Sequence, residues 1–229
     1  MEQFPLLCRI GRAPDPLEFA PYEFCGNGRF DDPLLTAGHL GPYFRTLYCG
    51  RTWLTCFLEI LQGFRPDLAY LAHIASLPDG DDDPSLPSDE QIARDARTVS
   101  VSWLGKKAKQ MLIVDAASIG PDLSKMETRE RLRRELLDEL VALGVRDIDL
   151  SAVTSGNRAL TKSIARYLYK EMKGQGAFLY TSRFGCEHTC VSIFEGTPFR
   201  ASDSPRSITL DDPDMAEALR LFDLVLQSS

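Results

Sequence analysis

FRTLYCGRTWLTCFLEILQGF, residues 44–64, is the stretch on which the reading of the whole chain turns. It opens as a short apolar run ending at Tyr48, turns through Cys49 and Gly50, and continues with helical spacing. Wound as a helix, residues 51–62 place Trp53, Leu54, Phe57, Leu58, Ile60 and Leu61 on a broad apolar side. The remaining stripe carries Thr52, Thr55, Glu59 and Gln62. Periodicity alone assigns such a stripe to solvent, since most glutamates on amphipathic helices are surface residues. A strand therefore delivers a tyrosine, and the next helix delivers a carboxylate from a stripe of small hydroxyl side chains.

Upstream, residues 6–12 (LLCRIGR) read as a first strand, and Pro14, Pro16 and Pro21 break regular structure beyond it. The segment GNGRFDD, residues 26–32, has the paired glycines of a tight turn and presents Arg29 just after them. Downstream, FRPDLAYLAHIASLP, residues 64–78, carries a second short helical pattern with His73 among apolar neighbours.

Residues 98–103 (TVSVSW) alternate as a half-buried strand and 111–115 (MLIVD) run apolar as a buried one, with 105–109 as an exposed hairpin connection. Ser124 and Glu127 have capping-box spacing for a helix reaching Leu143 and stopped by Gly144. Residues 145–150 read as a short strand or turn, and 158–173 as a helix. Residues 177–182 and 189–194 read as two further strands. Asp212-Pro213 opens a last helix, 212–227, with Met215, Leu219, Phe222 and Leu226 inward. Strands and helices mix without regular alternation, and no phosphate-cradling glycine motif occurs, so the expected class is α+β in a single domain over 1–229.

Charge narrows the partners. The chain carries −7, but Asp79, Asp81, Asp82, Asp83 and Asp89 crowd into residues 78–89; without those five the remainder carries −2. A near-neutral body has no electrostatic means of holding nucleic acid directly. Asp79, Asp81, Asp83 and Glu90 mimic the spacing of a calcium loop, but Pro84 stands where the turn needs glycine; 78–97 reads as an acidic linker insertion. The first twelve residues lack the pattern of a secretory signal and no window reaches the length of a membrane span, so a cytoplasmic protein is expected. The six cysteines are too sparse for a disulfide scaffold. Cys186-Glu-His188-Thr-Cys190 would share one face if extended, yet lacks the paired spacing of a structural zinc site, and no metal is expected.

Arg29 in GRF, Tyr48 in LY, Glu59 on the following helix and Ser182 in LYTS, ahead of the strand CVSIF, occur in an order that resembles the RES domain, a family named for its Arg, Glu and Ser. The resemblance spans about residues 7–195. It implies a fold like that of ADP-ribosyltransferase toxins and an enzyme that consumes NAD as substrate, with no further cofactor. It also implies cleavage of the nicotinamide–ribose bond by hydrolysis or with phosphate as acceptor. Many members are toxins restrained by a separately encoded helix-turn-helix antitoxin. By that resemblance Arg29 holds a phosphate or the attacking anion, Tyr48 flanks the nicotinamide, Glu59 binds the nicotinamide ribose, and Ser182 orients substrate. Phe30, where some relatives carry a tyrosine, and Thr55 complete the substrate-binding positions.

The chemistry suits these residue types. Breaking an N-glycosidic bond develops oxocarbenium-like positive charge that a fixed carboxylate stabilises, and nicotinamide leaves neutral without a strong general acid. Two other outcomes fit the same residues: transfer of ADP-ribose to a macromolecule, or a non-enzymatic module that works through a partner.

Overall fold

The computed structural model describes residues 6–36, 43–76 and 94–227. Most of the acidic segment, with its calcium-like spacing, lies outside the described residues, as does His39.

The first strand, β1 (Leu6–Arg12), pairs antiparallel along its whole length with β4 (Lys107–Val114), from Leu6 opposite Ile113 to Arg12 opposite Lys107. On its other side β1 meets β2 (Thr46–Gly50) at Cys8 opposite Gly50. β2 runs on into β7 (Thr189–Phe194), and β7 into β6 (Ala177–Thr181), both antiparallel. A parallel edge strand, β5 (Ile119–Asp122), and the short strands β8 (Phe199–Ala201) and β9 (Arg206–Ser207), which both pair with β4, complete a mixed sheet. The sheet order is β5-β6-β7-β2-β1-β4-β8, so β1 and β2 sit in the middle and are splayed there. With helices on its faces this is the α+β class that the sequence predicts.

Strand alternation sends side chains to two faces. One face buries Leu7, Leu47, Leu112, Val191 and Ile193 beneath Leu17 and the following loop. The other carries two separate clusters. Over β1 and β4, the helices α1 (Trp53–Leu61) and α8 (Pro213–Phe222) bury Cys8, Ile10, Phe57, Leu61, Met215 and Ala218. Over β6 and β7, a group of helices buries Phe178, Tyr180 and Phe194. That group is α4 (Met126–Glu135), α5 (Leu137–Ala142), α6 (Leu150–Thr154) and α7 (Arg158–Glu171). The splay of β1 from β2 falls at the seam between the two clusters. α2 (Leu68–Ala75) follows α1, and His73 on it is exposed.

Several elements differ from the sequence reading. β2 continues through Gly50, and the helix opens later, at Trp53, because Thr52 caps it by accepting from Thr55 N–H. β3 (Thr98–Ser100) is short; the Ser100 hydroxyl caps the four-residue α3 (Val101–Leu104), and Lys107 already begins β4. Lys107 and Lys109, within the stretch expected to be an exposed hairpin connection, are supported in the strand: Lys107 lies over Trp103, and Lys109 lies over Trp53 and pairs with Asp212. The Ser124–Glu127 capping box does not form; Lys125 stands at the cap without a side-chain bond, and buried Leu136 breaks the expected helix into α4 and α5. Gly144 does end α5, in a left-handed turn. Residues 145–149 form no strand, and Asp149 caps α6. The last helix ends at Phe222 because Asp223 turns left-handed, and Leu226 lies on β10 (Val225–Gln227), parallel to β3 (Thr98–Ser100). No helix among the described residues is long and apolar enough to cross a membrane.

Candidate active site

A cavity of about 370 Å³ opens where β1 and β2 part. Arg9, Ile10, Tyr48, Cys49 and Gly50 form its floor, α1 contributes Thr55, Cys56, Glu59, Ile60 and Gln62, and Asn27, Gly28, Arg29, Arg158, Tyr180 and Cys190 close the far side. The stripe of α1 that periodicity assigns to solvent therefore faces this cavity. Four of the six residues named from sequence line it: Arg29, Tyr48, Thr55 and Glu59.

Glu59 is half-buried and tied from several directions. Ser182, itself 2% exposed, donates to Oε1 at 2.7 Å. Gln62, one turn along the helix, donates to Oε2 at 3.2 Å, and the Cys190 thiol lies 3.9 Å from Oε1. Among the described residues Glu59 has no ion-pair partner within 4 Å. Its charge is oriented by neutral donors and left unneutralised. Ser182 thus stands behind the carboxylate, and its hydroxyl also accepts from Phe184 N–H at 3.2 Å.

Arg29 comes from the opposite wall. It is 8% exposed, and its Nη2 donates to the Thr154 carbonyl at 3.1 Å. Its guanidinium carbon lies 5.8 Å from the Tyr180 ring centroid, within cation–π range. Among the described residues Nη1 is buried without a hydrogen-bond partner. An unpaired buried donor on a charged group is costly, and a site that receives an anion is the setting in which it is tolerated.

The loop that carries Arg29 is built around Asp31. Its Oδ2 accepts from the N–H groups of Gly26 and Gly28, both at 2.7 Å, and its Oδ1 accepts from the Tyr48 hydroxyl at 2.7 Å. Tyr48 in turn accepts from Phe30 N–H at 2.9 Å. Burial and then the Asp31 charge push the Tyr48 phenol well above its ordinary pKa, so it remains a donor. A side chain at residue 28 would overlap both the Asp31 carboxylate and the Tyr48 hydroxyl, which accounts for glycine there.

Phe30 is placed elsewhere than the sequence reading expects. Its ring is fully buried, with centroids 5.0 Å from Phe178 and 4.7 Å from Tyr180, so it supports the far wall from behind and does not reach the cavity.

Arg9, Arg158, Tyr180 and Cys190 also line the cavity, and sequence reasoning did not single them out for it. Arg9 donates from Nη1 to the Tyr48 carbonyl at 2.6 Å and from Nε to the Pro16 carbonyl at 2.6 Å, bridging the splayed strands. Burial lowers its pKa. The Arg183 pKa is lowered by partial burial and then by the positive charge of Arg29, with Arg158 acting in the same direction. The cavity is therefore electropositive around a single carboxylate. Its thiols are inert: burial holds Cys49 at about 12 and raises Cys56 and Cys190 strongly, with the Glu59 charge adding to the rise at Cys190. Placement of Arg9 in a strand of apolar neighbours was the available signal; for Arg158 none existed, because only the tertiary fold brings the start of α7 here.

The Cys186–Cys190 segment does not form a shared face. Cys186 is exposed, Cys190 is buried, and the strand starts only at Thr189. Among the described residues no group of three or more His, Cys, Asp or Glu side chains is placed to hold a metal ion.

No protein-family model matches the chain, and no curated protein matches it. Among solved structures, the crystal structure of the M. tuberculosis MbcT–MbcA toxin–antitoxin complex contains a chain similar to this one at a TM-score of 0.46 and 14% identity, over 97% of this chain and 91% of that chain.

Proposed function

We propose that this cavity binds NAD and cleaves its nicotinamide–ribose bond, passing the ADP-ribosyl group to water or phosphate. The observation that carries the reading is the pairing of an oriented, unneutralised Glu59 with a buried Arg29 whose Nη1 lacks a partner among the described residues, in one cavity of about 370 Å³. A dinucleotide cation with a pyrophosphate needs both signs of charge, and a volume of this size suits the nicotinamide riboside half, the pyrophosphate leading out toward Arg158.

In this reading Arg29 takes a phosphate oxygen on its free Nη1. The Tyr48 and Tyr180 rings flank the pyridinium, which is cationic before cleavage and neutral after it. As the C–N bond lengthens its electron pair goes to the ring nitrogen, and positive charge gathers on the ribose, where Glu59 stabilises it. Glu59 does not have to reorganise, because Ser182 and Gln62 already hold it. Ser182 here positions the carboxylate and does not touch substrate. The likeness of the motif order to RES domains points the same way, and extends the proposal to a toxin restrained by a separately encoded helix-turn-helix protein.

The test is to incubate purified protein with NAD, with and without phosphate, and follow nicotinamide. Release in either condition is expected; a folded protein that releases none in both would sink the reading.

A further inference from the structure

We infer that Thr55, His188 and Glu187 form a proton relay that serves a hydroxyl acceptor in the cavity, with Thr55 as the contact and His188 and Glu187 as positioning residues behind it. The inference rests on the NAD-cleaving reading above and assigns the residues that handle the acceptor's proton.

The geometry sets an imidazole between a hydroxyl and an acid. Thr55 Oγ1 lies 3.2 Å from His188 Nδ1, and His188 Nε2 lies 3.4 Å from the Glu187 carboxylate. Thr55 is 1% exposed, lines the cavity and stands one helical turn before Glu59, so both project from the same stripe of α1.

Hydrogen-bond directions close without conflict. Thr55 N–H donates to Thr52 Oγ1 at 3.1 Å, so the Thr52 hydroxyl, 2.8 Å from Thr55 Oγ1, is free to donate onward. Thr55 then donates to Nδ1, and His188 carries its own proton on Nε2, facing Glu187. In that tautomer Nε2–H lies on the side of the Glu187 carboxylate and Nδ1 is the acceptor for the Thr55 hydroxyl.

The loop is shaped for this. Ser182 N–H donates to the His188 carbonyl at 2.8 Å, and His188 N–H donates to the Gly185 carbonyl at 3.1 Å. A side chain at residue 185 would occupy the space taken by the Glu187 carboxylate. One loop therefore orients Ser182 against Glu59 and His188 against Thr55.

The step balances. The ribose C1–N bond breaks with its electron pair leaving on nicotinamide, and the oxygen of water bonds to C1. The water proton passes to Thr55 Oγ1 while the Thr55 proton passes to His188 Nδ1. A phosphate dianion attacking C1 sheds no proton and has no use for the relay. Partition between the two acceptors therefore isolates it, even where C–N cleavage limits the overall rate.

The experiment turns over NAD with a fixed phosphate concentration and measures the ratio of ADP-ribose to ADP-ribosyl phosphate. His188→Gln and Thr55→Val are expected to lower that ratio by about 10-fold or more, within the range of general-base contributions, while Thr55→Ser restores it. Glu187 is largely exposed, so Glu187→Gln tests the relay without disturbing packing and is expected to shift the ratio in the same direction by less. A merely structural histidine would depress both products together. An unchanged ratio in folded Thr55→Val and Glu187→Gln overturns the relay and leaves NAD cleavage standing. A wild-type protein that makes only ADP-ribosyl phosphate also overturns it. Absence of any nicotinamide release overturns the NAD reading itself, and the relay with it.

Discussion

The two walls of the cavity treat charge in opposite ways. On α1, Glu59 is held by Ser182 and Gln62 before any ligand arrives. Across from it, Arg29 is hydrogen-bonded through Nη2 and, among the described residues, keeps Nη1 buried and unpaired. The first wall is preorganised, the state in which a charge stabilises a transition state without reorganising. The second is left incomplete, and incompleteness in a buried cation is a cost that binding an anion recovers. Catalytic power should therefore reside in the α1 wall and binding power in the Arg29 wall.

The largest effect expected from breaking this division is at Glu59. Glu59→Gln keeps the shape and an oxygen for Ser182 to donate to, but removes the charge. Nicotinamide release should fall on the order of 10²- to 10³-fold or more in kcat, as when one preorganised electrostatic group is lost. The midpoint of urea denaturation should move by less than about 1 kcal/mol equivalent, because the Ser182 bond survives and only the longer Gln62 bond is lost. A variant that keeps full turnover would move the chemistry off this wall altogether.

Arg29→Met comes next and should behave differently in two assays. kcat/KM for NAD is expected to fall about 10- to 100-fold through KM, one to two tenfold steps of about 1.4 kcal/mol for a lost charge-assisted bond. Thermal unfolding without ligand should change little, since relief from a buried donor without a partner offsets the loss of the bond to the Thr154 carbonyl. NAD should raise the melting temperature of the parent protein and not that of the variant. A destabilised apo variant with unaltered KM would show that Arg29 is structural, and the contrast between the walls would vanish.

How far the sequence disclosed this follows the range of the interactions involved. The α1 stripe, the strand before it and the α+β class were legible because hydrophobic periodicity is local. The direction of the stripe was not. Periodicity sees a polar face, and only the seam between two clusters on one side of the sheet turns it toward a cavity rather than water. Of the residues that motif order names, Arg29, Tyr48, Thr55 and Glu59 line one cavity and Ser182 donates to Glu59. Phe30 was named because some relatives carry a tyrosine at that position, whereas here the tight Asp31-centred turn sends that ring into the core. Arg9 and Arg158 escaped notice since their roles depend on strand splay and on where α7 starts, which no short window encodes. The capping box at Ser124 and the lysines of β4 misled for the same reason: a local preference was overridden by Leu136 burial in one case and by Trp53, Trp103 and Asp212 in the other.

Ser182→Ala sharpens the comparison on the catalytic side with a smaller effect. It removes one hydroxyl donor to a charged oxygen, worth about 1.5–3 kcal/mol, part of which solvent or substrate restores. kcat should drop about 10-fold with KM little changed, the signature of an interaction that serves the transition state through Glu59. If KM rose instead, Ser182 would be touching substrate, as the resemblance implies, and not standing behind the carboxylate.

Tyr48→Phe should give the smallest change in activity and a clearer one in stability. The hydroxyl links Phe30 N–H to Asp31 Oδ1, so its loss strands one buried donor at a cost of about 1–3 kcal/mol. The turn nevertheless keeps both bonds to Asp31 Oδ2, and Arg29 keeps its hold on the Thr154 carbonyl. The ring that flanks the cavity is also unchanged. Turnover at saturating NAD should therefore stay within a few-fold of the parent while the melting temperature falls. The reverse pattern, with turnover lost and stability intact, would make the phenol a participant in the chemistry. The Arg29 wall would then be as preorganised as the α1 wall, and the asymmetry between them would reduce to the single unpaired nitrogen of Arg29.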